Sequence, residues 1–325
     1  FGSRRSRLDQ WRLQRPVEAS SPAGILMGAW LGHDRGPVEN DEQGGDGLTE
    51  LVIASFNLRF KTNTDEGSRS WDVRKAAVAA AFKSLGASVV GTQEGLADQL
   101  QELDSMLGKG WTRVGTGRQP WRNFFYGEAC AIYLLNGLRC GPAGTFALSE
   151  TPDVIGSKSW ETHCPRICTY CFVPFLTGCV LILNCHLDHQ SHLAREKSVE
   201  LVASRAAELR ALAPKACIAT VVLGDFNTTI KELFAPLAAQ GFRDARTEAC
   251  AKGCIGNDCA STFHNWNGTS KDVGSGHIDW ICITEGLCVE RFDVVTDTFA
   301  GVLPSDHFPV VAKLVAKQHG ALRQS

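Results

Sequence analysis

Apolar residues gather in short runs from Leu51 onward, and their spacing sets the expected elements. Residues 51–58 (LVIASFNL) form a short buried strand that reaches polar Asn57 near its end. Ser70 is placed to cap a helix over 72–85, where Val73, Ala77, Ala80 and Ala81 make an apolar stripe, and Gly86 stops it. Residues 87–92 (ASVVGT) form a second buried strand that delivers Gln93 and Glu94 at its carboxyl end, and a helix follows over about 96–107. Strand, helix, strand, helix is the signature of an α/β domain. After Trp111 the pattern changes to strands without long helices, around Arg113 and over 129–135, 139–148, 167–174 and 180–185, which read as antiparallel. A helix over 193–212 leads into a strand over 219–223 that ends in GDFN (224–227), a third helix lies near 230–239, and 276–284 and 308–315 close the chain as strands. No repeat at solenoid spacing interrupts this order. One domain over 50–317 is expected, with 1–49 as a flexible leader and 318–325 as a tail.

Composition narrows the classes. The 325 residues are 44% hydrophobic and 21% charged, which is enough apolar material for a large core and excludes a disordered or disulfide-stapled chain. Lys+Arg 33 against Asp+Glu 35 leaves a formal charge of −2. That excludes a broad face for gripping a polyanion, so any phosphate recognition has to be local. No apolar run reaches the roughly 18 residues of a membrane span, and a monomer without a transmembrane segment is expected. The start, with Arg4, Arg5, Arg7, Arg12 and Arg15, reads either as the remnant of an organelle transit peptide or as a disordered extension. Phe1 in place of Met reads as a fragment or a processed product.

The 13 cysteines all lie at or after Cys130, and an odd number leaves at least one outside any intramolecular disulfide. Cys130, Cys179, Cys185, Cys217 and Cys282 sit in or beside apolar runs, as small buried hydrophobes do, which favours a reducing intracellular compartment. Cys164, Cys168 and Cys171 form one tight group and Cys250, Cys254 and Cys259 another, but neither has the paired spacing of a zinc ribbon.

The candidate chemistry lies where polar residues meet apolar strands. Asn57, Glu94, His186, Asp225, Asn227, Asp279 and the pair Asp306-His307 each fall at or just past the end of a strand-like run. A buried strand end is an expensive place for a carboxylate unless it is paired or bound to metal. One such residue is usually a turn or a cap, but a set of this size is not explained that way. Oxygen ligands from Glu and Asp, oriented by Asn amides, suit Mg²⁺, with Mn²⁺ as the alternative, and do not suit zinc. A divalent cation of that kind neutralises charge on phosphate oxygens and on the leaving group. A His beside an Asp supplies proton chemistry, and Asp279 and Asp225 are the candidate partners.

The ordered series SFNLRF (55–60), TQE (92–94), NCHLDH (184–189), GDFN (224–227), HIDWI (277–281) and SDHFPV (305–310) resembles the endonuclease/exonuclease/phosphatase superfamily over about 51–316. That superfamily includes pancreatic-type deoxyribonucleases, abasic-site endonucleases, deadenylases, inositol polyphosphate 5-phosphatases and neutral sphingomyelinases. The resemblance is strongest to a bacterial-like branch with an extended HLDHxSxxAR motif, here 186–195. It implies a four-layer α/β/β/α sandwich, two packed mixed sheets with helices outside and the site at one end of the sheets.

By the same resemblance, Asn57 and Glu94 belong to the metal site, Glu94 as direct Mg²⁺ ligand, and Asp306 completes it. Asp225 positions or deprotonates the attacking water and Asn227 contacts phosphate. His307, oriented by Asp279, contacts a phosphate oxygen or acts as the acid/base, and His186 takes the place of the family's other histidine. Asp188 and His189 either line the site or hold it by hydrogen bonds. Arg195 and Arg166 are phosphate contacts or salt-bridge partners. His264 and Trp266, in STFHNWNG (261–268), either stack on a base or a sugar ring or pack on the core.

The expected activity is Mg²⁺-dependent hydrolysis of phosphoric esters. Family frequency puts a phosphodiesterase of nucleic acid or nucleotides first, with a small-molecule or lipid-headgroup phosphatase as the alternative. The near-neutral charge leans towards a small substrate, since a long polyanion track needs clustered Lys and Arg. A catalytically inactive binding module is a third reading. It calls for loss of a metal ligand or of the His-Asp pair, and all of them are present.

Overall fold

Strand β1 (Glu50–Asn57) shows why the apolar runs are continuous rather than alternating. Leu51 and Ile53 enter one buried layer while Ala54 and Phe56 enter another, so both faces of the strand are covered. The computed structural model describes residues 48–121, 124–258, 261–268 and 276–317. The expected leader, apart from its last two residues, and the expected tail lie outside the described residues.

One sheet runs in the order β12 (Leu287–Val294), β13 (Val310–Ala316), β1, β2 (Val89–Gly95), β5 (Phe124–Leu135), β3 (Trp111–Val114), with β4 (Gly117–Trp121) also paired to β5. The other runs β10 (Arg243–Asp244), β11 (Asp279–Ile283), β9 (Cys217–Asp225), β8 (Gly178–His186), β7 (Ile167–Phe175), β6 (Ala143–Ala147). Each sheet contains one parallel pair, β1 with β2 and β8 with β9. Ile53, Val89 and Ile132 of the first sheet pack on Val180, Ile182, Val221 and Ile281 of the second. Helices α1 (Trp71–Ser84) and α2 (Ala97–Leu107) cover the outside of the first sheet through Val78, Phe82, Leu100 and Leu103. Helix α3 (His192–Ala211) covers the outside of the second through Val199, Val202 and Ala206. The expected four-layer α/β/β/α sandwich is the architecture found. No helix among the described residues is long and apolar enough to cross a membrane.

Several local expectations are corrected. The 180–185 strand pairs antiparallel with β7 but parallel with β9, because α3 supplies the crossover that a parallel pair needs. Ser70 stands at the N-cap of α1, yet its hydroxyl donates to the Gly67 carbonyl instead of accepting from the helix. Val73 is 48% exposed; the buried face of α1 turns instead through Trp71, Arg74, Ala77, Val78, Ala81 and Phe82. The helix near 230–239 is a 3₁₀ turn (Lys231–Phe234) followed by the short α4 (Ala235–Ala239). Strand β12 and helix α5 (Ala245–Lys252) were not expected at all.

The twelve described cysteines are free. Cys168 and Cys171, three apart on β7, enter opposite faces of the sheet and different cores, so the Cys164 group does not converge. Cys259 of the other group lies outside the described residues.

Three contacts bring the strand ends into one place. Asn184 of β8 donates to the carbonyls of Thr92 and Ala131 at 2.9 and 2.8 Å and accepts from Gln93 at 2.7 Å, so a fully buried amide pins the two sheets together. Gly224, at φ 145°, lets β9 press on β8: a Cβ there would lie 1.9 Å from the Cys185 carbonyl oxygen. Arg74 of α1, fully buried, donates to the carbonyls of Leu58 at 2.6 Å and Pro304 at 3.2 Å. It thereby ties together the segments that follow β1 and precede β13. Burial lowers its pKa to about 10.

Candidate active site

Glu94 is aimed by an irregularity in β2. The pairing of β2 with β5 shifts between Thr92 and Gly95, and Glu94 sits at φ 65°, a left-handed conformation that costs a non-glycine residue energy. Its carboxylate accepts from Asn57 Nδ2 at 3.1 Å and from the Phe60 amide at 2.9 Å. The same Asn57 nitrogen donates to Asp225 Oδ2 at 3.0 Å. One amide, its orientation fixed by the Arg59 N–H on Oδ1 at 2.9 Å, therefore joins a carboxylate of the first sheet to one of the second.

Asp225, at the end of β9, is 1% exposed and stands at the centre of the group. Its Oδ1 accepts from the Asn227 amide at 2.8 Å, and its Oδ2 lies 3.4 Å from His186 Nε2 and 3.8 Å from His307 Nε2. Burial raises its pKa to about 7, with His307 opposing and Asp279 reinforcing the rise. Asn227, at φ 50°, turns its side chain back so that Nδ2 is 3.0 Å from His186 Nε2 and donates to the Leu187 carbonyl at 3.1 Å. His186 is held neutral, its pKa far below the ordinary value through burial and the nearby Arg166 and Arg118 charges.

The other histidine behaves oppositely. His307 Nδ1 is 2.9 Å from Asp279 Oδ2, in a site where the histidine is 5% and the aspartate 1% exposed. Burial works against its charge, but Asp279, Asp225 and Asp306 more than offset this and push its pKa up to about 10. The two imidazoles flanking Asp225 are thus split, one neutral and one cationic.

Asp306 follows Ser305, whose hydroxyl donates to the Asn57 carbonyl at 2.7 Å. Burial raises the Asp306 carboxyl, His307 draws it down, and the charge of Glu94 raises it again. Arg59 lies 3.8 Å from it and is shared with Asp65. Two carboxylates, half-buried and buried, repel each other on one wall beside an Asn amide, and this oxygen-rich donor set fits a hard divalent cation. Glu94, His186 and Asp225 also present ligand atoms within 4.8 Å of one another, as do Asp225, Asp279 and His307; Asp306 falls in neither of these tighter groups.

Glu94, His186, Asp225, Asn227, Asp306 and His307 line a cavity of about 830 Å³, with Asn57 and Asp279 directly behind them. Arg166, His189 and Arg195 also line it. Three other expected substrate contacts do not. Asp188 is fully buried and accepts from Thr162, His163, Gln190 and Ser191, so its role is to hold the turn after β8. His264 is fully buried, its ring 4.1 Å from that of Phe308. Trp266 lies over the Arg74 guanidinium at 5.6 Å. The 261–265 segment instead braces the site: Thr262 Oγ1 accepts from the Asp279 amide at 3.1 Å, and the His264 amide donates to the Asp306 carbonyl at 2.9 Å. Sequence reasoning missed Arg59, Arg118, Glu128, His163 and Phe263 on the cavity wall. Arg59 and Phe263 stood inside quoted motifs, SFNLRF and STFHNWNG.

The Endonuclease/Exonuclease/phosphatase family matches residues 54–307, which span every group described above except the last strand. The chain belongs to this family. No curated protein matches it. Among solved structures, this family member is similar to a mannosyl-6-phosphatase of Bacteroides thetaiotaomicron, with 29% identity over 82% of this chain and 99% of that one and a TM-score of 0.71. It is similar also to an endonuclease/exonuclease/phosphatase from Bacteroides vulgatus, with 26% identity over 83% and 100% of the two chains and a TM-score of 0.73. The TDP2 of D. rerio, complexed with a single strand DNA product, shares the fold at 16% identity over 82% and 99% of the two chains, with a TM-score of 0.61. As a member of the Endonuclease/Exonuclease/phosphatase family, the chain is a phosphoric ester hydrolase.

Proposed function

We propose that the chain is a Mg²⁺-dependent hydrolase whose substrate is a phosphate monoester of a small, polar alcohol. Asp225, with a pKa near neutrality, takes the proton of the attacking water. His307, kept cationic by Asp279, donates to a phosphate oxygen on which charge accumulates. Asn227 and neutral His186 orient the phosphate and water between them. Glu94 and Asp306, with Asn57, would hold the Mg²⁺, with Mn²⁺ as the alternative, and the bound cation would neutralise phosphate and leaving-group charge.

The observation that carries the substrate class is the commitment of the arginines around the cavity. Arg59 pairs with Asp65, Arg118 with Glu128 at 2.6 Å and Arg166 with Asp188 at 3.7 Å, while Arg195 donates to the Asp188 carbonyl. Among the described residues they leave no surplus basic track of the kind a nucleic acid strand requires. The similarity to a mannosyl-6-phosphatase supports the same choice. The weight therefore moves from the phosphodiesterase reading to the phosphatase alternative.

The test is a Mg²⁺-supplemented comparison of mannose 6-phosphate, p-nitrophenyl phosphate, bis-p-nitrophenyl phosphate and single-stranded DNA, with EDTA controls. Monoesters are expected to turn over and the Glu94→Gln variant to lose at least about 100-fold in kcat while melting like the wild type. Faster cleavage of the diester or of DNA would return the phosphodiesterase reading.

A further inference from the structure

The cavity wall also carries Arg118, Glu128 and Arg166, to which the hydrolytic step above assigns no contact with phosphate or water. Arg118 on β4 and Glu128 on β5 meet at 2.6 Å, each with its side chain 15% exposed. Arg166, just before β7 and therefore on the other sheet, lines the same cavity and a small recess shared with them, and lies 2.9 Å from His189 Nδ1.

Their hydrogen bonding is incomplete. Arg118 gives one nitrogen to one oxygen of Glu128, and among the described residues no hydrogen bond reaches the other oxygen. The Nε groups of both Arg118 and Arg166 are buried without an acceptor. Buried ion pairs with unfilled hydrogen-bonding positions are poor devices for stability. Fold stability therefore does not account for them.

We infer that Arg118, Glu128 and Arg166 form a subsite that reads hydroxyl groups on the alcohol side of the ester. This rests on the hydrolytic reading above. The charge pattern selects the ligand class. Each guanidinium already faces a carboxylate, Arg118 with Glu128 and Arg166 with Asp188, so a second anion meets no excess positive charge there. A cation meets guanidinium nitrogens. A hydroxyl group matches both, accepting from a guanidinium N–H while donating to the free oxygen of Glu128. Two such groups on neighbouring carbons, as in a sugar, span a donor and an acceptor fixed by one ion pair.

The placement also fits. Arg118, Glu128 and Arg166 line a small recess together with Glu94 and His186. The subsite therefore adjoins the residues of the hydrolytic site within one cavity.

The experiment compares kcat/KM for mannose 6-phosphate and p-nitrophenyl phosphate in the full chain with Mg²⁺. The wild type is expected to prefer the sugar ester. Glu128→Gln is expected to reduce that preference about tenfold or more, because the hydroxyl loses its carboxylate acceptor. The double variant Arg118→Gln/Glu128→Gln, which removes both charges together, guards against misfolding of the single variant and should show the same fall. Thermal melts confirm that the compared proteins are folded. An unchanged ratio in a folded variant overturns the subsite, as does a wild type that hydrolyses the aryl ester with no preference for the sugar. Hydrolysis of neither ester by the wild type would instead remove the hydrolytic reading on which the subsite rests.

Discussion

His264 and His277 are buried imidazoles outside the cavity, and together they give the protein an acid limit. His277 lies edge-on to Trp280 with both ring nitrogens unpartnered, and His264 leaves Nε2 unpartnered. Burial, followed by neighbouring cationic groups, lowers each to about 4. The unfolded chain binds these protons near pH 6.5 and the folded chain only near 4. Stability therefore falls as pH drops through that window, by on the order of 3 kcal/mol for each histidine, and flattens below it. His307 has the opposite sign: its raised pKa adds stability below about 6.5 that is lost as pH rises towards 10. Urea midpoints measured from pH 7 to 4 should show a steep decline that is shallower in His277→Leu; an unchanged slope would remove His277 from the account. At this scale the sequence was informative where chemistry was expensive. Carboxylates and amides at buried strand ends, taken as a set, pointed to one site, and Glu94, Asp225, Asp279 and Asp306 do gather at one place. Arg118 and Glu128 gave no such signal, because a charged pair on neighbouring strands looks like solvated surface until the second sheet covers it.

Arg74 shows how an element transmits its position to the site. From one turn inside α1 it satisfies carbonyls on both sides of the wall that carries Asn57 and Asp306, those of Leu58 and Arg59 after Asn57 and that of Pro304 before Asp306. Arg74→Met keeps the apolar stem but strands several buried carbonyls, and should cost about 3 kcal/mol. Under conditions where the variant remains folded, kcat should still fall, since Asn57 and Asp306 lose their common anchor. A variant with lowered stability but wild-type kcat would show that Arg74 supports α1 alone. The helix itself was legible, and of its buried face Ala77 and Ala81 but not Arg74. The expected stripe placed Val73 inside and gave Arg74 no part, because a guanidinium that faces carbonyls is invisible to a reading of apolar spacing. Strand β12 and helix α5 were missed for a related reason. LCVERFDV and ARTEACAK are broken by charges that are satisfied laterally, as where Glu248 of α5 accepts from Arg243 and from the Val289 amide of β12.

At the scale of the whole molecule, the site belongs to neither sheet. Asn57, Glu94 and Asp306 come from the first, His186, Asp225 and Asp279 from the second. The chain enters the first sheet, builds the second and returns to the first for β12 and β13. Ser305 closes onto the Asn57 carbonyl across 248 positions of sequence. Contacts of that separation form late, because loop closure precedes any reward. Enzymatic activity is therefore the last property this chain acquires. In a refolding time course, hydrolysis should return after far-ultraviolet dichroism has recovered, and simultaneous recovery of both would contradict the late closure. During synthesis the same order holds: strands and helices of both sheets can assemble while the chain still cannot cleave an ester, and with the roles proposed for Asp306 and His307 it becomes a hydrolase only once they reach their places.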